Sequence, residues 1–355
     1  MKALMLLLTI SATVFATTGQ ERPIKAVGSS IPTHPAAPGA GPRVEHGIDA
    51  FITGDFIYWT ARMDGLAYVI TGQGDQINSV GKGSAKYPDW RWSPGFKGGI
   101  GLNLPHDDWD VYAEYTWYQS SAINATNIRG NGMLPPWNIS SILSLLENNS
   151  SITQARGKWD IHFYAIDLSL GRNYFISRFL ALRPFASLKW GWVNQDYRVR
   201  YLLETTNVDS TVSMKNDQDY WGIGLRSGLN TSWHIDTSWS FYANVALSAL
   251  WSQFEIDRQD TRTDTRNGGT PQPNTTIVVF NSEDSFHTIK GVIEFGMGLR
   301  GEWWFSDNRY HFMIQGGWEE QLWLNHNHLL KTHFTQSDHG DLILQGMTIK
   351  LRFDF

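Results

Sequence analysis

Charged residues in this chain recur at every second position of runs whose other positions are apolar. Lys97, Arg183, Lys189, Arg226, Lys290, Arg300, Lys350 and Arg352 sit in such runs, as do Asp55, Asp110, Glu114, Asp167, Glu294, Glu302 and Glu319. Acids and bases lined up on one face of a strand can do either of two things. Around a water-filled lumen they set the local potential and so select ions. In a narrow lumen they pair across neighbouring strands and shut it. The residue types leave both open. The glycines on the same face, Gly99, Gly101, Gly222, Gly224, Gly296 and Gly298, also cut both ways. They widen a lumen unless Tyr112, Tyr242 or Trp304 from a neighbouring strand lies over them.

Other chemistry is thinner. Activation of water asks for a preorganised acid–histidine pair. Asp338, His339 and Asp341 lie so close in sequence that a flexible loop is the expectation. His326, His328 and His333 lack a matching carboxylate spacing, and solvated loop histidines are expected there. No phosphate-cradling glycine loop, nucleophile elbow or zincin helix occurs. No catalytic residue, cofactor site or metal site is therefore expected, and the chain reads as a non-enzyme. Asn-x-Ser/Thr sites such as those at Asn138 and Asn274 read as polar loop composition.

The alternating face belongs to strands, and the last stretch shows it best. From Gly346 onward, Met347, Ile349, Leu351, Phe353 and Phe355 point one way, and Thr348, Lys350, Arg352 and Asp354 the other. Period two with one apolar and one polar face is a half-buried strand. About ten residues is the length of a tilted membrane strand. A terminal aromatic–polar–aromatic pattern resembles the signal by which bacterial outer-membrane barrels are inserted, which assigns Met347, Ile349, Leu351, Phe353 and Phe355 that role.

Composition bounds the alternatives. The chain has 355 residues, a formal net charge of −5, no cysteine, 17 Trp and 33 Gly. One large all-β domain fits this length. The small net charge and the lack of a basic run argue against nucleic acid as a partner. Zero cysteine removes disulfides, thiolate metal sites and a lipid-anchored cysteine. A mean hydropathy of −0.31 would be low for a helical membrane protein. A barrel's polar lumen and loops give such a value. Residues 1–16 read as an export signal too short to remain as a span, residues 17–47 as a disordered Pro-rich linker, and residues 48–355 as the barrel.

Alternating runs are expected at Ile48–Ala61, Trp92–Leu104, Trp109–Ser120, Lys158–Arg172, Leu180–Tyr201, Asn216–Trp233, Trp239–Ile256, Ser285–Phe305, Tyr310–Asn325 and the final strand. Long polar loops are expected at Met63–Arg91, Ser121–Gly157, Glu204–Lys215, Asp257–Asp284 and His326–Gly340, with a helical turn near Ile139–Leu146. The short turns alternate with these loops. The reading is a closed antiparallel transmembrane β-barrel of about ten strands, with long outer loops, short periplasmic turns and both termini periplasmic. Twelve strands would follow if Met63–Arg91, with its short run at Leu66–Thr71, hides a hairpin. Trp109, Trp233, Trp239 and Trp303 flank short turns, and Trp221 and Trp251 lie one membrane crossing away. Roughly 30 Å separates the two sets at about 3.3 Å per tilted residue. They read as two aromatic girdles.

The blocks Gly54-Asp-Phe-Ile-Tyr-Trp59, Trp92-Ser-Pro-Gly-Phe96 with Gly99-Ile-Gly101, Trp109-Asp-Val-Tyr112 and Leu170-Gly-Arg-Asn-Tyr-Phe175 resemble the Legionella-type major outer membrane protein family, also found in Chlamydia-related bacteria. The resemblance runs from about Ile48 to Phe355. It implies a pore-forming barrel of the bacterial outer membrane and carries no catalytic motif. The expected function is passive diffusion of ions or small hydrophilic solutes. The alternative is a surface adhesin or structural barrel with a closed lumen. Expected partners are outer-membrane lipid, the barrel-assembly machinery, small solutes or ions and host-surface ligands.

Overall fold

The computed structural model describes residues 41–42, 44, 49–72, 83–104, 108–128, 132–137, 142, 151–204, 208–266, 275–330 and 340–355. The expected export signal, most of the linker and all but Ile142 of the expected helical turn lie outside these residues. So do His333, Asp338 and His339, and the glycosylation-type sites at Asn138 and Asn274.

Among the described residues the chain folds as fourteen strands. They are β1 (Ala50–Met63), β2 (Val69–Thr71), β3 (Ser84–Lys86), β4 (Trp92–Asn103), β5 (Trp109–Asn127), β6 (Met133–Leu134) and β7 (Ser151–Arg172), then β8 (Tyr174–Ser177), β9 (Leu180–Glu204), β10 (Val208–His234), β11 (Trp239–Arg266), β12 (Thr275–Phe305), β13 (Tyr310–Asn327) and β14 (Gly340–Asp354). Ten of them pair antiparallel in the order β1, β4, β5, β7, β9, β10, β11, β12, β13, β14. The order returns on itself, because β14 pairs with β1 from Phe51↔Asp354 to Met63↔Leu342. Each neighbour in the ring is the next long strand in sequence, so every connection is a hairpin and none has to cross. Ring closure leaves no bare edge along the shared height of the strands. The ring holds ten strands and not twelve: β2 pairs with β3 and β6 in a separate three-stranded sheet.

The two chain ends of the barrel meet at one rim. Ala50 N donates to Phe355 O at 3.2 Å, and Phe355 N donates to Ala50 O at 2.9 Å. This rim, called the terminal end below, also carries the tight turns. Ser306, Asp307 and Asn308 take left-handed φ of 53°, 55° and 64° there. Asp and Asn accept that conformation at smaller cost than bulkier residues because their short side chains bond locally.

Two sequence expectations change at the opposite, far end. Asp257–Asp284 and Glu204–Lys215 are mostly strand rather than loop. β11 pairs with β12 as far as Asp264↔Thr275, and β10 with β11 as far as Val208↔Arg266. Apolar alternation stops near Ile256, but charge alternation continues. Arg258, Asp260, Arg262 and Asp264 hold every second position, with Thr261 and Thr263 between them and Thr265 following. Arg258 Nη2 donates to Asp260 at 2.7 Å and Arg262 Nε to Asp264 at 2.7 Å. Acid–base pairs and β-branched threonine hold a strand together as well as apolar pairs do. Likewise 121–127 and 151–157 extend β5 and β7. β12 spans 31 residues against 12 for β4. At about 3.3 Å per residue and a tilt near 40°, roughly 80 Å of wall stands against roughly 30 Å.

The outer surface of the shared height is apolar. Ile100, Leu225, Leu247 and Ile289 are 67%, 70%, 60% and 74% exposed. Their strand neighbours Lys97, Lys189, Ala246 and Lys290 are buried inside. A continuous apolar belt around a polar-lined ring inverts the soluble pattern and matches lipid outside.

Candidate functional site: a layered lumen

Alternation aims every second side chain of the ring at its axis, so the lumen is built in layers. In the layer at the terminal end, Arg183 Nε donates to Asp110 Oδ2 at 2.8 Å, and its Nη2 bonds the second oxygen. Asn173 Nδ2 donates to the same carboxylate at 2.7 Å. Arg352 Nε donates to Asp354 at 3.0 Å while its guanidinium lies 3.6 Å over the Phe51 ring. His311 Nδ1 and Asp354 Oδ2 are 2.7 Å apart, and His311 Nε2 is 3.9 Å from Glu302. Arg300 donates to Ser232 Oγ at 2.9 Å and to Gln315 Oε1 at 3.0 Å. These groups surround a cavity of about 170 Å³.

The middle layer is a ladder of ion pairs spanning several strands. Lys97 reaches Glu319 at 2.5 Å, and Lys350 reaches Glu114 at 2.9 Å and Asp55 at 3.5 Å. Tyr112 donates its hydroxyl to Glu114 at 2.6 Å. Lys189 lies 3.0 Å from both Asp167 and Glu294, and Arg226 is 2.7 Å from Glu294. Each of these five carboxylates answers a cation, as burial of charge requires. The layer still encloses a cavity of about 140 Å³.

Beyond the ladder the lumen turns apolar. Phe163 of β7 and Trp323 of β13 meet edge to face with ring centroids 5.5 Å apart. β7 and β13 stand five places apart in a ring of ten, so this contact crosses the full width of the barrel. Trp59, Tyr118, Trp159, Tyr220, Phe254 and Leu250 complete a fully buried apolar core around it. Inturned segments cap this core. Tyr197 and Tyr201 donate their hydroxyls to the carbonyls of Leu66 and Tyr68 at 3.0 and 2.5 Å. Trp137 Nε1 donates to Ala67 O at 2.7 Å, and Gln218 Nε2 to His326 O at 2.8 Å. Wall side chains thus satisfy loop backbone that would otherwise be buried unbonded.

The sequence-selected residues Lys97, Asp110, Glu114, Asp167, Arg183, Lys189, Arg226, Glu294, Arg300, Glu319, Lys350 and Arg352 all fall in the two polar layers. Glu302 sits at the mouth. Lys290 is separate: it belongs to the apolar layer, with its Nζ bonded to Asn325 O, 2.7 Å from His328 Nε2 and 4.9 Å from the Phe254 ring centre. His326, expected in a solvated loop, is fully buried against Tyr220, Phe254 and Trp323. A bulge between Trp323 and Asn327, with Asn325 at φ 50°, turns the chain into the lumen there. Among the described residues no group of three or more His, Cys, Asp or Glu is placed to share a metal ion.

The inward glycines make room for neighbours rather than for solvent. A Cβ at Gly99 would strike Tyr112, one at Gly101 would strike Phe51, and one at Gly317 would strike the Tyr242 hydroxyl. Alternation alone misses His311, Asp354, Ser232 and Gln315, because each gains meaning only from a partner on another strand. The aromatic residues Phe163 and Trp323 carry a readable sign: large rings at inward positions of two distant runs.

A closed antiparallel ring with an apolar belt and a polar, ion-paired interior defines a transmembrane β-barrel of the bacterial outer membrane. The family comparison agrees. The chain belongs to the family described as Legionella pneumophila major outer membrane protein precursor, whose pattern matches residues 41–355. Among solved structures, the outer membrane protease OmpT from Escherichia coli is similar at 8% identity, with 86% of this chain and 96% of that chain covered and a TM-score of 0.39. A Pseudomonas aeruginosa FadL homologue is similar at 6% identity, with 86% and 89% covered and a TM-score of 0.26. The Pseudomonas putida toluene transporter TodX gives 8% identity, 86% and 89% coverage and a TM-score of 0.26. No curated protein matches.

Proposed function

We propose that this barrel is a porin-like conduit for ions and small hydrophilic solutes, shut at its far end in the conformation described. The observation that supports this is the ion-pair ladder around its two cavities. Replacing buried ion pairs by apolar residues of similar volume is often neutral or stabilising. A barrel that needed only to be filled would gain little from Lys97, Glu114, Asp167, Lys189, Arg226 and Glu294. Ionisable side chains kept at membrane depth mark pathways more often than scaffolding. The terminal end faces the periplasm in this reading, the Trp109, Trp233, Trp239 and Trp303 set forms the inner girdle, and Trp221 with Trp251 forms the outer one. Lipid, the assembly machinery that reads the strand from Met347 to Phe355, and the permeating solutes are its partners. Catalysis is not part of this reading.

The second reading is a sealed barrel that displays its tall far wall to surface ligands, and the Phe163–Trp323 contact favours it. Planar-bilayer recording separates the two. The native protein is expected to show rare, ion-sized openings, and Trp323→Ala with Phe163→Ala to conduct far more often. A folded double variant as silent as the native barrel would defeat the conduit and leave display.

A further inference from the structure

The cavity at the terminal end has an uneven charge balance. Three of the cations on its wall have carboxylates of their own: Arg183 has Asp110, Lys350 has Glu114 and Asp55, and Arg352 has Asp354. Arg300 does not. Its described partners are neutral, Ser232 Oγ and Gln315 Oε1, and the Tyr242 ring lies 5.8 Å from its guanidinium carbon. The remaining acid on the wall, Glu302, lies 3.9 Å from His311 and attracts Arg300 at longer range, with no direct ion pair between the two among the described residues. Among the described residues the Arg300 guanidinium is hydrogen-bonded only by neutral acceptors, with Glu302 acting on it from beyond bonding distance, and a buried charge without a bonded counter-charge is costly.

The surrounding wall supplies further donors. Asn230 and Asn244 face each other across β10 and β11, and Asn230 also opposes Arg183 across β9. Both asparagines line the cavity, and the Asn244 amide oxygen is buried with no hydrogen-bond partner. Each asparagine amide carries two N–H donors that an oxyanion in the cavity can engage. The cavity of about 170 Å³ holds on the order of ten waters, at roughly 10–15 Å³ of this measure each. A compact oxyanion fits such a space, whereas a nucleotide or oligosaccharide does not.

We propose that Arg300 anchors a binding site for a small oxyanion, a free carboxylate or phosphate of few atoms, with Asn230 and Asn244 as additional donors. The planar guanidinium fork matches two oxygens of such a group, and the charge-assisted bonds it forms are about twice as strong as neutral ones. The cavity lies in the layer at the terminal end, on the other side of the ion-pair ladder from the Phe163–Trp323 layer, so the site does not depend on that layer opening. It therefore stands or falls apart from conduction.

The test is calorimetric titration of the purified, folded barrel in detergent, in low-chloride Tris, with inorganic phosphate in one series and acetate in another. Heat-modifiable mobility on gels checks that each variant is folded. Saturable binding of at least one anion is expected, weakened at least tenfold by Arg300→Gln and less by Arg300→Lys, which keeps the charge but not the fork. Arg178→Gln, at an exposed arginine outside the lumen, is expected to bind as the native protein does. The ratio of the two affinities tells a phosphate site from a carboxylate site. No saturable binding of either anion, or equal binding by Arg300→Gln, would overturn the proposal. A silent bilayer recording with anion binding intact would defeat the conduit alone.

Discussion

Glu294 joins Lys189 and Arg226, and its loss leaves these two buried cations only Asp167 between them. Removing one member of a buried pair costs about 3–5 kcal/mol, because the remaining charge keeps its desolvation penalty. Urea unfolding of Glu294→Leu in lipid vesicles should show a loss of that size, and an unchanged midpoint would mean that water already solvates the ladder. The lipid face obeys a different rule. Leu247 is 60% exposed on the apolar belt, whereas Ala246 is buried and pairs in register with Glu294. Leu247→Arg should cost about 2–4 kcal/mol at the bilayer midplane. Ala246→Arg should cost less, since its guanidinium enters a polar layer beside a carboxylate. Equal costs in the same assay would show that the two faces are assigned wrongly.

Among the elements, the β11–β12 hairpin reaches furthest beyond the ring, and β11 and β12 themselves contribute no core residue beyond Ile256 among the described residues. Ile256 is the last core residue of β11, while Arg258 and Asp260 pair with each other just above it, alongside Met214 and Val212 of β10, which belong to the core. Cutting residues 258–282 and joining Asp257 to Glu283 with an Asn-Gly turn keeps every ring pair at and below their level, since these two residues already oppose each other, and removes the β10–β11 pairs from Val208↔Arg266 to Asn216↔Arg258. The shortened protein should still run as a heat-modifiable folded band. A chain that no longer folds would make the extension part of the folding core. The inturned 64–72 and 326–330 segments differ in kind: wall side chains bond their carbonyls, so shortening them should loosen the far layer.

For the whole molecule, the open question is which end faces out. The terminal end carries the short turns and both ends of the barrel chain, and the far end the tall wall. The native chain has no cysteine, so single cysteines report sidedness directly. Thr276→Cys on the far wall should react with an impermeant maleimide on intact cells, and Asp307→Cys at the terminal turn only after the envelope is opened. The opposite pattern would invert the orientation.

Much of this barrel is legible in its sequence because lipid and water impose a period of two on every crossing strand. Phe96, Ile100 and Leu102 against Lys97 and Asn103 already separate the outer from the inner face of β4. The family resemblance rests on blocks of that kind. The far wall is half legible: its Arg-x-Asp-x-Arg-x-Asp pattern keeps the period, but in charge, where an apolar reading does not look. Tertiary structure alone decided the state of the lumen. That Arg183 meets Asp110, that Lys97 crosses to Glu319, and that Phe163 meets Trp323 across the barrel all follow from strand number and register. A one-dimensional pattern fixes which way each side chain points. Which side chain it meets depends on the curvature of the closed ring, because inward residues touch partners up to five strands away.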